Sequence, residues 1–452
     1  MPRSPQRTLV LCALAFFCSL ILPPAGLSAD DAFKRIAPQL RGEQRLDARI
    51  GEAMFERLWI SAPASTQAAD GLGPLFNARA CASCHPRNGR GRVPDADQPD
   101  AVGLVLHLDI PAADDDLAPT LNNLPEPVYG RQLQTFAVAG LGAEARLLVE
   151  YERRELGLAD GQRVALHQPE YQLQDFGYGS LHPQARLSPR LAPPMIGLGL
   201  LDAVDEAQIL QRADPDDKDG DGISGRPNRV WHRALGKTVL GRFGHKAGLP
   251  DLDTQIQSAF ATDLGLSVPL YPAGSGDCSA AQRDCLNAPN GNSPQYDNLE
   301  VPQQVVDLVA LYLGNLAVPA RRDSDKPEVL AGERLFNSLG CDNCHRATLQ
   351  VGEQRHTIHP YTDLLLHDMG EALADHRPEA LANGREWRTA PLWGIGLTRA
   401  VSGEERYLHD GRARSLLEAV LWHGGEAQAQ RDAVIALSRE QREQLLAFIE
   451  SL

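Results

Sequence analysis

Two short motifs carry the clearest chemistry of this sequence. Residues 81–85 read C-A-S-C-H and residues 341–345 read C-D-N-C-H. At this spacing two thiols can bond to the vinyl carbons of one haem while the adjacent imidazole ligates its iron. A thioredoxin-like redox pair or a zinc site also uses paired cysteines, but neither accounts for a histidine directly after both pairs. The sequence therefore predicts two covalently attached c-type haems. The predicted attachment residues are Cys81, Cys84, Cys341 and Cys344, and the predicted iron ligands are His85 and His345.

Two further cysteines stand apart from these motifs. Cys278 and Cys285 lie in a stretch rich in Gly, Pro, Asn and Asp. In an oxidising compartment, a local disulfide that holds such a loop is the expected use. A catalytic dithiol is the alternative, although the spacing matches no known redox motif. We predict the disulfide.

The first 29 residues predict export. Arg3 and Arg7 precede an apolar run over residues 9–22, and small residues at 26–29 form a cleavage site. The alternative is a membrane anchor, but the run is shorter than the ~20 residues that span a bilayer. We therefore expect residues 1–29 to be a signal peptide and the mature chain to be periplasmic, beginning near Asp30 and without a membrane span.

The mature chain is strongly acidic. The whole sequence has 44 basic and 59 acidic residues, and the signal peptide contains two arginines and no acidic residue. The mature charge is therefore 42 less 59, or −17. Nucleic acid is not an expected partner, because phosphate binding needs basic patches. The acidity could serve solubility alone or could attract a basic electron-transfer partner.

An internal duplication organises the chain. The string Leu-Phe-Asn occurs at residues 75–77 and again at 335–337, ahead of the two motifs and at the same offset of 260 residues. A second echo pairs PMIGLGL at 194–200 with PLWGIGL at 391–397, at an offset of 197. The first copy thus contains more chain between its parts. We predict an N-terminal domain over residues 30–325 with long loop-rich insertions, and a C-terminal domain over residues 326–452.

The expected fold class is mainly α. The chain has 452 residues, too many for one core, and its 40 glycines and 32 prolines favour short elements joined by loops. Residues 328–336 have a helical apolar face, in which Gly332 would permit a close helix crossing. A last helix should begin at Ser438, with Gln441 completing a capping box. We predict two cytochrome c-like domains and no large sheet.

Several longer strings resemble the bacterial di-haem oxidoreductase family, which is also labelled a predicted thiol oxidoreductase and is related to di-haem cytochrome c peroxidases. The resemblance covers most of the mature chain. Besides the two haem motifs it rests on SPR at 188–190, DGDGISG at 219–225, GRFG at 241–244, PYTDLLLHDMG at 360–370, EWRT at 386–389, LHDGR at 408–412 and LWHGG at 421–425. The thiol label misreads cysteines whose sulfurs would be consumed as thioethers.

The resemblance implies that the C-terminal haem is a six-coordinate electron relay. In the related peroxidases the far iron ligand follows an H-x-G segment, which here is His409-Asp410-Gly411. The ligand position falls on His423, at the end of a helix expected over residues 416–423. This departs from the methionine or tyrosine of the relatives, and a bis-histidine iron should have a lower potential than a His/Met one. His423 could instead merely cap its helix, and then Met369 or His367 would be the ligand.

The resemblance also implies that the N-terminal haem is the reactive one. A carboxylate of the peroxidases falls on Asp263, for which we predict an acid–base role with Gln255 as hydrogen-bonding companion. Asp263 could equally be a surface residue at a helix end. His245 is a further candidate for the far side of this haem. The inter-haem tryptophan of the peroxidases falls on Phe243, and the nearby Trp231 could replace it.

Two arginines and an acidic loop complete the candidate residues. Arg190 and Arg388 precede the two echoed strings, so they could pair with haem propionates or remain surface charges.

The acidic loop contains Asp217, Asp219 and Asp221 with Gly222, which is the first half of a calcium loop. Asn228 stands where the bidentate glutamate should be, so calcium binding and a solvated turn both remain open.

Two functions fit these residues. The first is an enzyme that reduces hydrogen peroxide or oxidises a partner protein, with electrons passing through the C-terminal haem to the N-terminal one. The second is a non-enzymatic di-haem electron carrier or an accessory protein of iron uptake. An iron with one free face would distinguish the enzyme from the carrier.

Overall fold

A computed structural model describes residues 28–112 and 123–452. The predicted signal peptide therefore lies almost wholly outside the described residues. The described α-helices are α1 Gly42–Glu56, α2 Cys81–Cys84, α3 Leu198–Asp202, α4 Glu206–Leu210, α5 Leu252–Asp263, α6 Arg283–Leu286, α7 Gln303–Gly314, α8 Pro327–Ser338, α9 Thr398–Ser402, α10 Leu416–Leu421, α11 Gln428–Ala436 and α12 Arg439–Ser451. Among these helices, none has the length and the apolar composition needed to cross a membrane.

Short strands and 3-10 turns lie between the helices. The strands are β1 Ile60–Ser61, β2 Asp70–Leu72, β3 Leu75–Phe76, β4 Leu104–Pro111, β5 Asn123–Leu124, β6 Gln132–Leu133, β7 Phe136–Ala137, β8 Arg146–Gly157, β9 Arg163–Gln174, β10 Arg186–Leu191, β11 Arg229–His232, β12 Lys237–Leu240, β13 Leu349–Val351, β14 His356–Ile358, β15 Leu366–Asp368 and β16 Glu386–Arg388. The 3-10 turns are Ala29–Lys34, Pro86–Asn88, Pro294–Tyr296, Cys341–Asn343, Glu371–Leu373, Ile395–Leu397 and Gly425–Ala427.

The prediction of a mainly α fold is wrong. Helical residues make up 30% of the described residues and strand residues 21%, spread over many small sheets. The largest error concerns β8 and β9, two strands of 12 residues that pair antiparallel along their whole length. In β8 the buried Leu147 and Val149 alternate with less buried neighbours, which is the period of a strand rather than of a helix. These strands lie in the inserted segment, which was expected to be loop.

A small antiparallel sheet forms one wall of the molecule's central cavity. In this sheet β4 pairs with β10, β5 and β6. His107 lies opposite Gln132 on one side and Ser188 on the other. Because side chains alternate along a strand, Leu106 and Leu108 face the opposite way and are buried in an apolar core. One face of the sheet is thus free to present polar groups to the cavity.

Two helix pairs repeat the same close crossing. An added Cβ at Gly332 of α8 would lie 1.9 Å from the carbonyl oxygen of Gln444 in α12, and one at Gly51 of α1 would lie 2.0 Å from that of Leu308 in α7. Only glycine therefore permits either approach. The predicted crossing at Gly332 is confirmed, and so is the capping box at the start of α12.

The two echoed strings also contact each other. Gly197 and Gly394 are equivalent in the echo, and both have left-handed φ angles, of 70° and 72°. An added Cβ at Gly197 would lie 2.3 Å from the Trp393 ring, and one at Gly394 would lie 2.7 Å from Ile196. Ile196 and Trp393 are themselves equivalent positions. The contact is therefore reciprocal, as expected for two related halves that pack against each other.

Candidate functional site

One cavity contains both C-x-x-C-H motifs. Its volume is about 660 Å³, and most of its surface is apolar. The motif residues that line it are Cys81, Cys84, His85, Cys341, Cys344 and His345. None of the four motif cysteines is in a disulfide, whereas Cys278 and Cys285 form the predicted one. Burial raises the pKa of Cys81 and of Cys341 to about 12, so these side chains stay thiols rather than the thiolates of a redox dithiol.

The first motif places an imidazole with one nitrogen free. Cys81 and Cys84 are the ends of α2, and His85 follows directly. His85 donates from Nδ1 to the carbonyl oxygen of Pro193 at 2.8 Å. Burial lowers the pKa of His85 to about 4, so the ring is neutral and its Nε2 has a free lone pair. A backbone carbonyl on the other nitrogen is a usual way to orient an imidazole toward a metal.

The second motif repeats this arrangement. His345 donates from Nδ1 to the carbonyl oxygen of Tyr361 at 3.0 Å, and Phe336 lies beside its ring at 6.4 Å between centroids. Burial lowers the pKa of His345 to about 4, and the nearby His423 lowers it further. Each half of the chain thus presents one neutral, oriented imidazole to the shared cavity.

His423 is a third imidazole of the same kind. It lies two residues beyond α10, which begins at the predicted N-cap Ser415 and ends at Leu421. Its Nδ1 donates to the carbonyl oxygen of Ala419 at 2.8 Å, and the side chain lines the cavity. Burial lowers the pKa of His423. The ring therefore caps its helix with one nitrogen and leaves Nε2 for a ligand, so the two roles weighed for it are compatible.

His367 and Met369, the alternative ligands of the second iron, differ in whether they have a lone pair available for a metal. Both ring nitrogens of His367 are engaged by carboxylates, those of Asp363 at 2.9 Å and Glu426 at 2.7 Å. His367 therefore has no lone pair for a metal in this arrangement. Met369 also lines the cavity, so its thioether is the remaining alternative.

Asp263 lies in the cavity beside the first motif. It is the last residue of α5, and its charge raises the pKa of both Cys81 and Cys84. Its Oδ1 accepts a hydrogen bond from Gln132 Nε2 at 2.7 Å. Burial raises the pKa of Asp263 to about 6. The hydrogen bond to Asp263 thus comes from Gln132, a residue not predicted for this role, while the predicted companion Gln255 lines the same cavity.

The β-sheet contributes polar residues that the sequence did not single out. Gln132 and His107 are directly opposed in β6 and β4, so their side chains lie on the same face. His107 lines the cavity, and burial lowers its pKa well below the usual value. Because β6 has only two residues, no periodicity could reveal it in the sequence.

Arginines cluster in the same cavity. Arg190 is buried and bonds Asp375 through Nη2 at 3.1 Å, but its Nε and Nη1 have no hydrogen-bond partner among the described residues. Nε of Arg377 is also unpaired. Arg388 donates to the carbonyl oxygens of Gly244 at 3.0 Å and Thr389 at 3.2 Å, and burial lowers its pKa to about 10. Neither predicted arginine is a surface charge.

The aromatic residues of the cavity are not the ones expected. Trp231 is 43% exposed on β11 and does not line the cavity. Phe243 is buried and lines it. Trp387 lines it as well, with its ring stacked on His409 at 3.6 Å between centroids. Trp231 is therefore not placed to replace an inter-haem tryptophan, and Trp387 is an indole that lines the cavity.

His245 lines the cavity near this stack. Burial lowers its pKa well below the usual value, and the charges of Arg190 and the imidazole of His409 lower it further. His245 therefore lies among the arginines and the stack, and its imidazole is neutral.

Comparison with known proteins decides the family. The family described as "Di-haem oxidoreductase, putative peroxidase" matches residues 25–107 and 129–452. The chain belongs to the di-haem oxidoreductase family. No curated protein matches it. A solved structure of hydrazine synthase from Kuenenia stuttgartiensis, pressurised with xenon, is similar over 99% of this chain and 100% of that chain, with 12% identity and a TM-score of 0.36. That similarity is too weak to bear on fold or function.

The cavity of this di-haem oxidoreductase fits the cofactor that the family implies. Haem needs an apolar enclosure, axial nitrogen ligands and cations for its propionates. The cavity supplies apolar walls, the imidazoles of His85, His345 and His423, each hydrogen-bonded through Nδ1, and buried guanidinium groups whose N–H bonds lack a partner among the described residues. The unpaired donors of Arg190 are the strongest sign, because a buried unsatisfied donor is costly unless an acceptor meets it.

The acidic loop lies outside the cavity. Oxygens of Asp217, Asp219 and Asp221 come within 4.8 Å of one another. Asn228 is buried, its Oδ1 accepts a hydrogen bond from the Leu381 backbone N–H at 2.9 Å, and its Nδ2 donates to the carbonyl oxygens of Lys246 and Glu379, so its side chain is engaged away from this loop. The loop therefore offers three carboxylates without the closing residue of a calcium loop.

Proposed function

We propose that this di-haem oxidoreductase is a periplasmic c-type enzyme that reduces hydrogen peroxide with electrons from a redox partner protein. The observation that carries the proposal is the placement of both C-x-x-C-H motifs on one cavity, each with its imidazole held through Nδ1. The thiols of each motif would form thioether bonds to one haem. The family assignment implies two haems, and their covalent attachment to the cysteines is what this proposal adds.

Bound haem would supply a redox-active iron at each motif. Nε2 of His85 would hold the first iron and Nε2 of His345 the second. His423, which also lines the cavity, would be a further ligand of the second iron. The second site would then be a six-coordinate electron relay, and the first would keep one face for peroxide. Arg190 and Arg388 would hold propionates.

Asp263 would handle the proton that peroxide reduction requires. The overall reaction consumes one peroxide, two electrons and two protons and yields two waters. A carboxylate near the scissile bond can accept a proton from one peroxide oxygen and return it to the other. A pKa of about 6 suits Asp263 to both steps near neutral pH, and Gln132 fixes the orientation of its Oδ1 atom.

The stacked pair of Trp387 and His409 would carry electrons from the C-terminal site to the N-terminal site. Both residues line the cavity that contains the two motifs, and their rings are in contact. A packed aromatic bridge shortens the distance that an electron must cross through empty space. The electrons would enter from a partner protein at the C-terminal site.

We also propose the division of the chain. Residues 1–29 would be removed on export, residues 30–325 would form the N-terminal cytochrome c-like domain, and residues 326–452 the C-terminal one. The repeated crossings at Gly51 and Gly332 support this division. N-terminal sequencing of the exported protein should begin near Asp30, and material that begins at Met1 would contradict the signal peptide.

Calcium at the acidic loop is a separate part of the proposal. Three carboxylates with oxygens within 4.8 Å could bind Ca²⁺ with water as further ligands. Calorimetric titration of the holoprotein with Ca²⁺ should give binding that Asp219→Asn abolishes. Equal heats for parent and variant would leave the loop as a solvated turn.

The decisive experiment for the function combines spectra with rapid mixing. The EPR and absorption spectra of the resting holoprotein should contain one low-spin iron and one iron with an open face. The reduced protein should then be oxidised by hydrogen peroxide in stopped-flow mixing. Two six-coordinate irons and no reaction would favour the electron carrier or the accessory protein of iron uptake.

A further inference from the structure

A buried ion triad lies beside the second haem motif. His367 of β15 donates from Nε2 to Asp363 Oδ2 at 2.9 Å and from Nδ1 to Glu426 Oε2 at 2.7 Å. Because carboxylates only accept, both ring nitrogens carry a proton and the imidazole is a cation. The side chains of Asp363 and His367 are 3% exposed and that of Glu426 is 10% exposed. The triad has two negative charges and one positive charge, a net charge of −1.

Hydrogen-bond donors from the surrounding chain fix the triad in place. Glu426 accepts hydrogen bonds from Ser224 Oγ at 2.8 Å and from the Asp368 backbone N–H at 3.1 Å. Asp363 Oδ1 accepts one from the Leu365 backbone N–H at 2.9 Å. These donors keep both carboxylates oriented toward the imidazole. The triad is thus a built arrangement rather than a chance surface pair.

The close approach of Gly225 makes the fit tighter. An added Cβ at Gly225 would lie 2.8 Å from Cε1 of His367. The loop that carries Gly225 therefore packs directly on the imidazole, which has no room to turn away from its two carboxylates.

The triad is placed to act on the second haem site. Nδ1 of His367 is 3.6 Å from Sγ of Cys344, and the side chain lines the cavity. In the pairing of β15 with β16, His367 lies opposite Trp387, so the imidazole and the indole share one face. A charge in such a water-poor place is weakly screened and acts strongly on its neighbours.

We propose that the Asp363–His367–Glu426 triad lowers the reduction potential of the iron held by His345. The proposal rests on the proposed attachment of haem at Cys344. Oxidation adds one positive charge to the iron, so a nearby net negative charge favours the oxidised form. The triad acts through its charge and not as a ligand, because both nitrogens of His367 are already bonded. Its three residues would thus change the driving force for electron transfer without touching the iron.

The test is a spectroelectrochemical titration of the holoprotein with both haems present. Glu426→Gln should raise the potential of the low-spin iron, because Asp363 still holds the imidazolium and the triad becomes neutral. We expect a change of about tenfold in the oxidised to reduced ratio at a fixed potential, or about 59 mV for one electron. Asp363→Asn should act in the same direction. Asp363→Asn is the alternative test if Glu426→Gln does not fold.

His367→Gln supplies the opposite change, because it removes the positive charge and should lower the same potential. Glu371→Gln is the matched control. Glu371 pairs with His376 at 3.1 Å, but the side chains are 72% and 63% exposed. Water and salt screen this pair, so its loss should leave both potentials unchanged. The potential of the N-terminal iron should stay constant in all variants.

Two results would overturn the proposal. One is a low-spin potential that neither carboxylate variant moves, and the other is a shift of the same sign in Glu426→Gln and His367→Gln, which would indicate general disruption. A parent protein without covalent haem at Cys344 would overturn the proposed attachment, and this proposal with it. Covalent haem with unmoved potentials would overturn this proposal alone.

Discussion

The indole of Trp387 lies parallel to the imidazole of His409, with 3.6 Å between the ring centroids and 14° between the planes. Two cations also contact the indole, since Arg190 lies 4.5 Å and Lys246 4.6 Å from its centroid. Positive charge at this distance makes removal of an electron from the ring unfavourable. The stack should therefore conduct electrons as a bridge, without a stable tryptophan radical.

Replacing Trp387 should slow electron transfer between the two irons. Trp387→Phe replaces the two-ring indole that stacks on His409 by a single smaller ring, so the electronic coupling through the stack weakens. We expect the rate of reoxidation of the C-terminal iron to fall about tenfold, which corresponds to about 1.4 kcal/mol of activation. Flash reduction followed by transient absorption measures this rate. Trp231→Phe is the matched control, because Trp231 is exposed and outside the cavity. Equal rates in the two variants would remove Trp387 from the path.

Each haem motif should hold its own haem. Cys81→Ala with Cys84→Ala, and Cys341→Ala with Cys344→Ala, should each reduce the covalent haem content from two to one, because both thioether cysteines of one motif are lost. Acid–acetone extraction followed by a pyridine haemochrome assay measures the covalent haem. Cys285→Ala removes only the disulfide partner of Cys278 and should retain both haems. Two covalent haems in either motif variant would contradict the assignment.

His423 should determine the spin state of the C-terminal iron. His423→Gly removes an imidazole that lines the cavity, so one of the two haems should become high-spin while the haem content stays at two. EPR spectra at low temperature measure the change. His367 cannot easily replace the ligand, because both of its nitrogens are bonded. An unchanged spectrum would therefore direct attention to Met369.

Local motifs in the sequence predicted several local features of the structure. The C-x-x-C-H strings, the disulfide at Cys278 and Cys285 and the capping box at Ser438 each depend on a few adjacent residues, and the structure places all of them as expected. The close helix crossing at Gly332 could also be predicted, because a glycine on an apolar helix face indicates such a crossing.

Contacts between distant segments could not be predicted in the same way. Gln132 reaches Asp263 across 131 residues, through a strand of two residues with no periodicity of its own. Trp387 meets His409 only because β16 and the segment before α10 fold onto the same cavity. The strands β8 and β9 were missed for another reason, since their charged exposed faces obscure the alternation of buried residues.

Asp263 should impose a characteristic pH dependence on stability. Burial raises its pKa from 3.8 to about 6, so between these values the native protein retains a proton that the unfolded chain releases. The contribution of this group to stability is therefore fully present below pH 3.8 and is lost as the pH rises through 6, a change of about 3 kcal/mol. Asp263→Asn lacks this titration. The melting temperature of Asp263→Asn relative to that of the parent should therefore rise between pH 4 and pH 7. A difference in melting temperature that does not change with pH would contradict the raised pKa.

The same residue should give the opposite pH dependence to catalysis. The carboxylate form of Asp263 is the one that accepts a proton from peroxide, so the rate of oxidation of the reduced protein should rise with pH through about 6. Asp263→Asn should lower this rate by about 100-fold, the usual size of a lost acid–base group, and should abolish the inflection. Stopped-flow mixing with peroxide from pH 5 to pH 8 measures both effects.

Asp216→Asn, at an exposed carboxylate that is 71% accessible, is the control and should match the parent. Haem content and the spectrum of the C-terminal iron should be the same in all three proteins. A variant that reacts at the parent rate, with the inflection intact, would remove Asp263 from the mechanism and direct attention to His107, the neighbouring imidazole across the sheet.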